Sequence, residues 1–145
     1  MKRNNKKGFT LVELVIVIAV IAILSAILIP TFGNIIGDAN KTSAQSDAKA
    51  AITTHMSIVA KHGDGLADGY IVMVDGNNVK YYFEYENGNL GAALEDKPTG
   101  CSDFSTAANS GWEGLAIADK TTADGDYGRS TEFYHLPKGS GSQQG

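Results

Sequence analysis

The chain has 145 residues, 43% of them apolar, and a formal net charge of −4. This length and composition fit one small domain with an appendage. The single cysteine, Cys101, excludes an intrachain disulfide. Residues 1–8 hold four of the 12 basic residues and no acid, so the rest of the chain has a net charge of −8. Such an acidic body predicts no nucleic-acid site, because phosphate contacts depend on Lys and Arg.

The first element is a 21-residue apolar run, residues 9–29, in which only Thr10, Glu13 and Ser25 are polar. As a helix it would be about 31 Å long, enough to cross the hydrocarbon core of a bilayer. A cleaved secretory signal fits poorly, because its apolar region has only about 7–15 residues. A plain membrane anchor fits the length but leaves Glu13 unexplained, since a charge inside a bilayer is costly.

A third interpretation accounts for the basic head, Gly8 and Glu13 together. The stretch "KKGFTLVELVIVIAVIAILSAILIPTF", residues 6–32, resembles the class III signal of type IV prepilins and pseudopilins. In that family a prepilin peptidase cuts after the glycine, the new N-terminal residue is methylated, and a glutamate is needed for assembly. The resemblance implies that residues 1–8 are a cleaved leader, that Phe9 becomes the N-methylated terminus, and that Glu13 is the assembly carboxylate.

Cleavage would create an amine on Phe9, one helical turn from Glu13. The two groups could pair within one chain, because residues i and i+4 share a helix face. They could also pair between neighbouring chains, which is the arrangement accepted for the family. An unpaired carboxylate in lipid is costly, so such pairing would help to draw a subunit into a filament.

Residues 30–62 continue the helix with an amphipathic pattern, and Gly63 is a natural stop. His55 lies on the apolar stripe, where we expect it to pack in the core. Pro30, Gly33 and Gly37 weaken the start of this segment, since proline lacks a backbone donor and glycine is a poor helix former. We expect a kink there in the monomer and local melting in the filament, as the family's proline at this place implies.

Residues 63–137 predict a small antiparallel sheet, and residues 138–145 a flexible tail. Residues 75–78, Asp-Gly-Asn-Asn, are the turn of a predicted hairpin. In its second strand, apolar positions alternate with Lys80, Tyr82, Glu84 and Glu86, which predicts one face on the helix and one toward solvent. Further strands are expected at 112–119 and 131–136. The fold class is therefore α+β, a long helical spine with a sheet packed on its C-terminal half.

The sequence contains few candidate metal-binding or catalytic residues. Asp124 and Asp126 have the Asp-x-Asp spacing of calcium loops, but the other ligands of such a loop are missing, so an ordinary acidic turn is the better interpretation. We expect no metal and no cofactor. No nucleophile triad or phosphate-binding loop supports an enzyme.

The sequence thus predicts the major subunit of a type IV pilus, with a pseudopilin of a type II secretion or competence system as the alternative. A membrane-anchored binding module that never polymerises is a rival of another class. The resemblance implies other copies of the chain, the prepilin peptidase, and a pilus assembly platform and motor as partners. It also implies a single-pass precursor in the inner or cytoplasmic membrane, and then an extracellular surface filament.

Overall fold

The computed structural model describes residues 7–63, 65–118 and 128–139. The chain divides into two compact units after Asp38. Its elements, in chain order, are α1 (Leu11–Val59), a 3-10 helix (Ala60–His62), β1 (Gly69–Asp75), β2 (Asn78–Glu86), β3 (Asn89–Leu90), β4 (Glu113–Ala118) and β5 (Gly128–Pro137). This confirms the predicted α+β fold with an N-terminal helix and a following antiparallel sheet.

The first unit contains the apolar part of α1. The helix is unbroken through Pro30, so the chain shows no melting at this residue; melting in the filament stays a prediction. Proline cannot donate a backbone hydrogen bond to the preceding turn. Next to it, the Thr31 hydroxyl donates to the Ile27 carbonyl (2.9 Å). This side-chain hydrogen bond joins the same two helical turns that a backbone N–H at position 30 would have joined.

In the second unit, α1 buries a single face. Its buried residues, at spacings of three and four, are Ala44, Ala48, Ile52, His55, Ile58 and Val59. This is the spacing of one side of an α-helix. The helix ends where predicted, because Gly63 adopts a left-handed conformation (φ +80°) and donates its N–H to the Ala60 carbonyl.

The strands form one antiparallel sheet in the order β3-β2-β1-β5-β4. β1 and β2 are the predicted hairpin, with Gly76 at φ +61° in its two-residue turn. The pairing shifts between Met73↔Tyr81 and Val74↔Val79, which leaves Lys80 without an opposite residue. This bulge turns Val79 to the other face of the sheet, away from Tyr81.

The predicted alternation in β2 holds at Lys80, Glu84 and Glu86, which are exposed. It fails at Tyr82, which is half-buried because part of the second face of the sheet is also covered. One face packs on α1 through Ile71, Phe83 and Leu115, all buried. Residues 97–112, here called the cover loop, lie on the other face. There Cys101 and Trp112 pack against a cluster of strand residues that consists of Tyr70, Val72, Val74, Tyr82, Tyr134 and Leu136. The alternation in β2 does not predict this cover over Tyr82, because the cover loop is distant in sequence from the strand.

Candidate assembly site

The first turn of α1 is closed by two reciprocal hydrogen bonds. The Thr10 N–H donates to Glu13 Oε2 (3.1 Å), and the Glu13 N–H donates to Thr10 Oγ1 (3.3 Å). Since α1 begins at Leu11, Thr10 is the N-cap and Glu13 the third helical residue, which is the arrangement of a capping box. Two backbone donors that a helix start leaves unbonded are thereby satisfied. The carboxylate also lies at the positive end of the helix dipole.

Gly8 and Phe9 precede the helix and are exposed. The Phe9 side chain is 92% exposed, and no heavy atom lies within 4 Å of the place that a Cβ on Gly8 would occupy. The peptide bond between them is therefore uncovered by the rest of this unit. The structure brings Gly8, Phe9 and Glu13 together at one end of one helix.

Sequence reasoning missed Thr10. We predicted that the Glu13 carboxylate gains a partner only after cleavage, when the Phe9 amine forms. In the uncleaved chain it already accepts a hydrogen bond from the Thr10 N–H. The pattern Thr-x-x-Glu just before an apolar run is the known signature of a capping box and would have been sufficient to find it.

Beyond this turn and as far as Ile36, α1 exposes apolar side chains on every side. Large hydrophobic side chains from Phe9 to Ile36 are all at least 49% exposed. Among the described residues, α1 is long and apolar enough to cross a membrane. A helix that is hydrophobic all round needs a cover of lipid or of other protein. The site therefore consists of a capped, charged start followed by an apolar rod.

The predicted weak residues, Pro30, Gly33 and Gly37, all lie in α1. No heavy atom beyond the helix's own backbone lies within 4 Å of a Cβ built on either glycine. The helix here depends on its own hydrogen bonds. At about 1.5 Å per residue, Pro30 is roughly 25 Å along the helix from Glu13, so these residues form no common site with it.

No metal site emerges where the chain is described. Asp124 and Asp126 lie outside the described residues. Within residues 7–63, 65–118 and 128–139, no group of three or more His, Cys, Asp or Glu side chains is arranged to hold a metal ion. His55 is buried in the core, as predicted.

Comparison with known proteins agrees with this geometry. Residues 3–29 match the family model described as a prokaryotic N-terminal methylation motif. Over 76 residues the chain is 40% identical to a fimbrial protein of Moraxella nonliquefaciens, a match that covers 52% of this chain and 49% of that protein. No solved structure matches the chain.

Two other relatives match over most of their length. The chain is 32% identical to the fimbrial protein EcpC of Eikenella corrodens over 135 residues, which cover 88% of this chain and 82% of that protein. It is 32% identical to the type IV major fimbrial protein FimA of Dichelobacter nodosus over 126 residues, or 84% and 67% of the two chains. The methylation motif and the capped apolar helix define a prepilin-type N-terminus. The chain belongs to the family of type IV fimbrial proteins, the type IV pilins.

Proposed function

We propose that this chain is the major structural subunit of a type IV pilus and polymerises through its apolar N-terminal helix. The observation that carries the proposal is the exposure of α1 on every side from Phe9 to Ile36. Lipid covers this surface before assembly, and the helices of other copies cover it afterwards. The relatives EcpC and FimA are fimbrial proteins, which favours a pilus over the pseudopilus of a secretion or competence system.

The N-terminus is processed before assembly. A prepilin peptidase cuts between Gly8 and Phe9, and Phe9 is then N-methylated. The match to the methylation motif and the exposure of both residues support this step. The basic residues ahead of the cut hold that end in the cytoplasm, in keeping with the positive-inside rule.

Glu13 changes partner during assembly. In the precursor its carboxylate accepts the Thr10 N–H, which reduces the cost of carrying a charge at the membrane boundary. In the filament it meets the Phe9 amine of a neighbouring subunit. An ammonium group is a stronger partner for a carboxylate than a backbone amide, so the exchange favours the assembled state and fixes the register of each new subunit.

The remaining partners follow from this role. The precursor is a single-pass protein of the inner or cytoplasmic membrane, and an assembly platform and motor move it into an extracellular filament. The proposed role is structural, so the chain itself catalyses no reaction.

Two measurements on cells test the proposal. Mass spectrometry of the protein from surface filaments should give methyl-Phe9 as its N-terminus, and electron microscopy should show long filaments that contain the chain. Glu13→Val should be cut normally but should yield no filaments. An intact Met1 terminus, or normal filaments from Glu13→Val, would contradict the proposal, and short periplasmic assemblies would favour the pseudopilin.

A further inference from the structure

His55 and His135 line one cleft of about 280 Å³ in the second unit. Both imidazole rings are buried, at 9% and 8% exposure. His55 comes from α1 and His135 from β5. The linker between the helix and β1 also lines this cleft, through Leu66 and Ala67. Two titratable rings thus lie inside the packing between helix, linker and sheet.

The two rings make opposite hydrogen bonds. The Ala116 N–H of β4 donates to His55 Nδ1 (2.8 Å), so His55 is an acceptor and its neutral ring carries its proton on Nε2. His135 Nε2 bonds the Ala67 carbonyl (2.8 Å), and since a carbonyl only accepts, this nitrogen carries a proton and donates. The His135 bond is compatible with a neutral and with a charged ring. The His55 bond is compatible with the neutral ring alone, because a protonated Nδ1 has no lone pair.

The bond to His55 holds an edge strand at a break in its ladder. β4 is an edge strand and, among the described strands, pairs only with β5. Between the pairs Gly114↔Tyr134 and Ala116↔Arg129, β4 has one residue and β5 has four. The N–H groups of Glu132 and Phe133 within this bulge donate to Ser130 Oγ. At the same break, the buried Ala116 has its N–H bonded by the helix.

We infer that His55 is an acid-sensitive contact, which holds β4 against α1 when the ring is neutral and releases it when the ring is protonated. A protonated His55 would turn an N–H group toward the Ala116 N–H, with both groups buried. Two facing donors cannot bond, so protonation removes the hydrogen bond between Ala116 and His55. Protonation therefore loosens the edge of the sheet at β4 before the rest of the second unit unfolds.

Burial is the largest cause of a lowered pKa at both rings of the cleft. Burial lowers the pKa of His55 below its ordinary value, and His135 and Arg129 lower it further, while Glu113 opposes them. Burial also lowers the pKa of His135, against the Ala67 hydrogen bond and Glu113. Arg129 and Glu113 are paired with each other (3.4 Å), so their effects on the pKa of His55 partly cancel. The linker residues that line the cleft, Gly65, Leu66 and Ala67, contribute no charge.

The lowered pKa of His55 determines how stability changes with pH. A lowered pKa in the folded state means that the unfolded chain binds the proton more readily. The stability that neutral His55 provides is thus complete above the ordinary pKa, about 6.5, and is lost as pH falls below it. For one proton, the unfolding equilibrium constant rises by up to about tenfold per pH unit in this window.

Two matched variants of the full chain in detergent micelles test the inference. His55→Asn keeps an acceptor near the Nδ1 position but does not titrate in this range, and His135→Gln keeps a donor near the Nε2 position. The wild type should lose thermal stability from pH 7.5 to pH 5. His55→Asn should remove a large part of this slope, while His135→Gln should remove only the part that comes from the lowered pKa of His135 itself. A wild-type slope in His55→Asn, or its loss in His135→Gln alone, would overturn the inference.

Amide hydrogen exchange of the wild type gives a second test that needs no variant. After correction for intrinsic rates, the Ala116 amide should exchange about tenfold faster at pH 5.5 than at pH 7.5. The amide of Met73, in the central strand β1, should change much less. Equal acceleration at both residues would mean global loosening, and an unchanged Ala116 would mean no release of β4. Either result would refute the role of His55.

Discussion

Thr10 and Glu13 exchange two hydrogen bonds across the first turn of α1, each from the backbone N–H of one residue to the side chain of the other. The carboxylate that we propose for assembly is therefore also part of the helix cap. Removing the Glu13 side chain would change both functions at once, whereas removing the Thr10 hydroxyl would change the cap alone.

The cap and the charge can be separated by three variants. Thr10→Val removes the hydroxyl acceptor and should destabilise the helix start by about 1 kcal/mol, while Thr10→Ser should keep it. Glu13→Gln should keep the cap, because glutamine also serves at this position of a capping box, but should lose filaments since it has no charge for an amine. Amide exchange of Glu13 in micelles measures the cap, and filament yield measures assembly.

The outcomes at Thr10 and Glu13 are independent. If the Glu13 amide exchanges equally fast in wild type and Thr10→Val, the capping box does not hold in the membrane-bound precursor. If Glu13→Gln assembles normally, the carboxylate charge is not what assembly requires.

Replacement of Gly33 and Gly37 by alanine tests the predicted melting of this helix segment. Each change should stabilise the helix by about 1 kcal/mol, and neither new methyl group meets another atom within 4 Å. We expect filaments of the double variant to need more force for extension in optical tweezers. Gly65→Ala in the linker is the control, because that position is also open but lies outside the helix. Unchanged extension of the double variant would exclude melting at these glycines.

The sequence predicted best those features of the structure that depend on residues close together in the chain. The apolar run, the Gly63 stop and the β1–β2 hairpin with its Gly76 turn depend on neighbouring residues, and each was found. The Thr10 cap was equally local and was missed, although its pattern was present.

Other features depend on residues far apart in the chain. His55 was expected in the core from its helical position, but its partner Ala116 lies 61 residues away. Likewise, the alternation in β2 placed Tyr82 toward solvent, whereas Trp112 and the cover loop lie over that face. Periodicity tells which side of a strand is apolar, and it carries no information on which distant segment will cover the other side.

A close backbone approach between Gly69 and Leu136 makes a third prediction. A Cβ on residue 69 would lie 2.1 Å from the Leu136 carbonyl oxygen and 2.9 Å from Pro137 Cα. Both contacts are backbone in the adjacent strand β5, so no side chain can move to relieve them. Gly69→Ala should lower the free energy of unfolding by about 2 kcal/mol or more, measured by urea denaturation in detergent. Gly65→Ala, with no atom within 4 Å, should change it by less than about 1 kcal/mol. Equal effects would show that β1 and β5 separate at no cost.

The cover loop gives a fourth prediction, since the chain has no disulfide to fasten it. Trp112 Nε1–H donates to the Asp103 carbonyl (3.0 Å). Phe104 packs edge-on against both Trp112 and Tyr134, with ring centroids 5.7 and 4.9 Å apart. Trp112→Ala should cost about 3–5 kcal/mol, and Trp112→Phe, which keeps most of the packing but loses the hydrogen bond, about 1 kcal/mol.

Cys101 reports on the same loop. Its side chain is buried between the cover loop and the sheet, and burial raises the pKa of its thiol above the ordinary value. Little thiolate is therefore present near pH 8, and a disulfide reagent should react slowly with the folded wild type. Trp112→Ala should expose the thiol and speed its reaction strongly, with Trp112→Phe in between. Because Cys101 is the single cysteine of the chain, the signal has one source. Equal rates in the wild type and Trp112→Ala, with both folded, would mean that Trp112 does not hold the cover loop on the sheet.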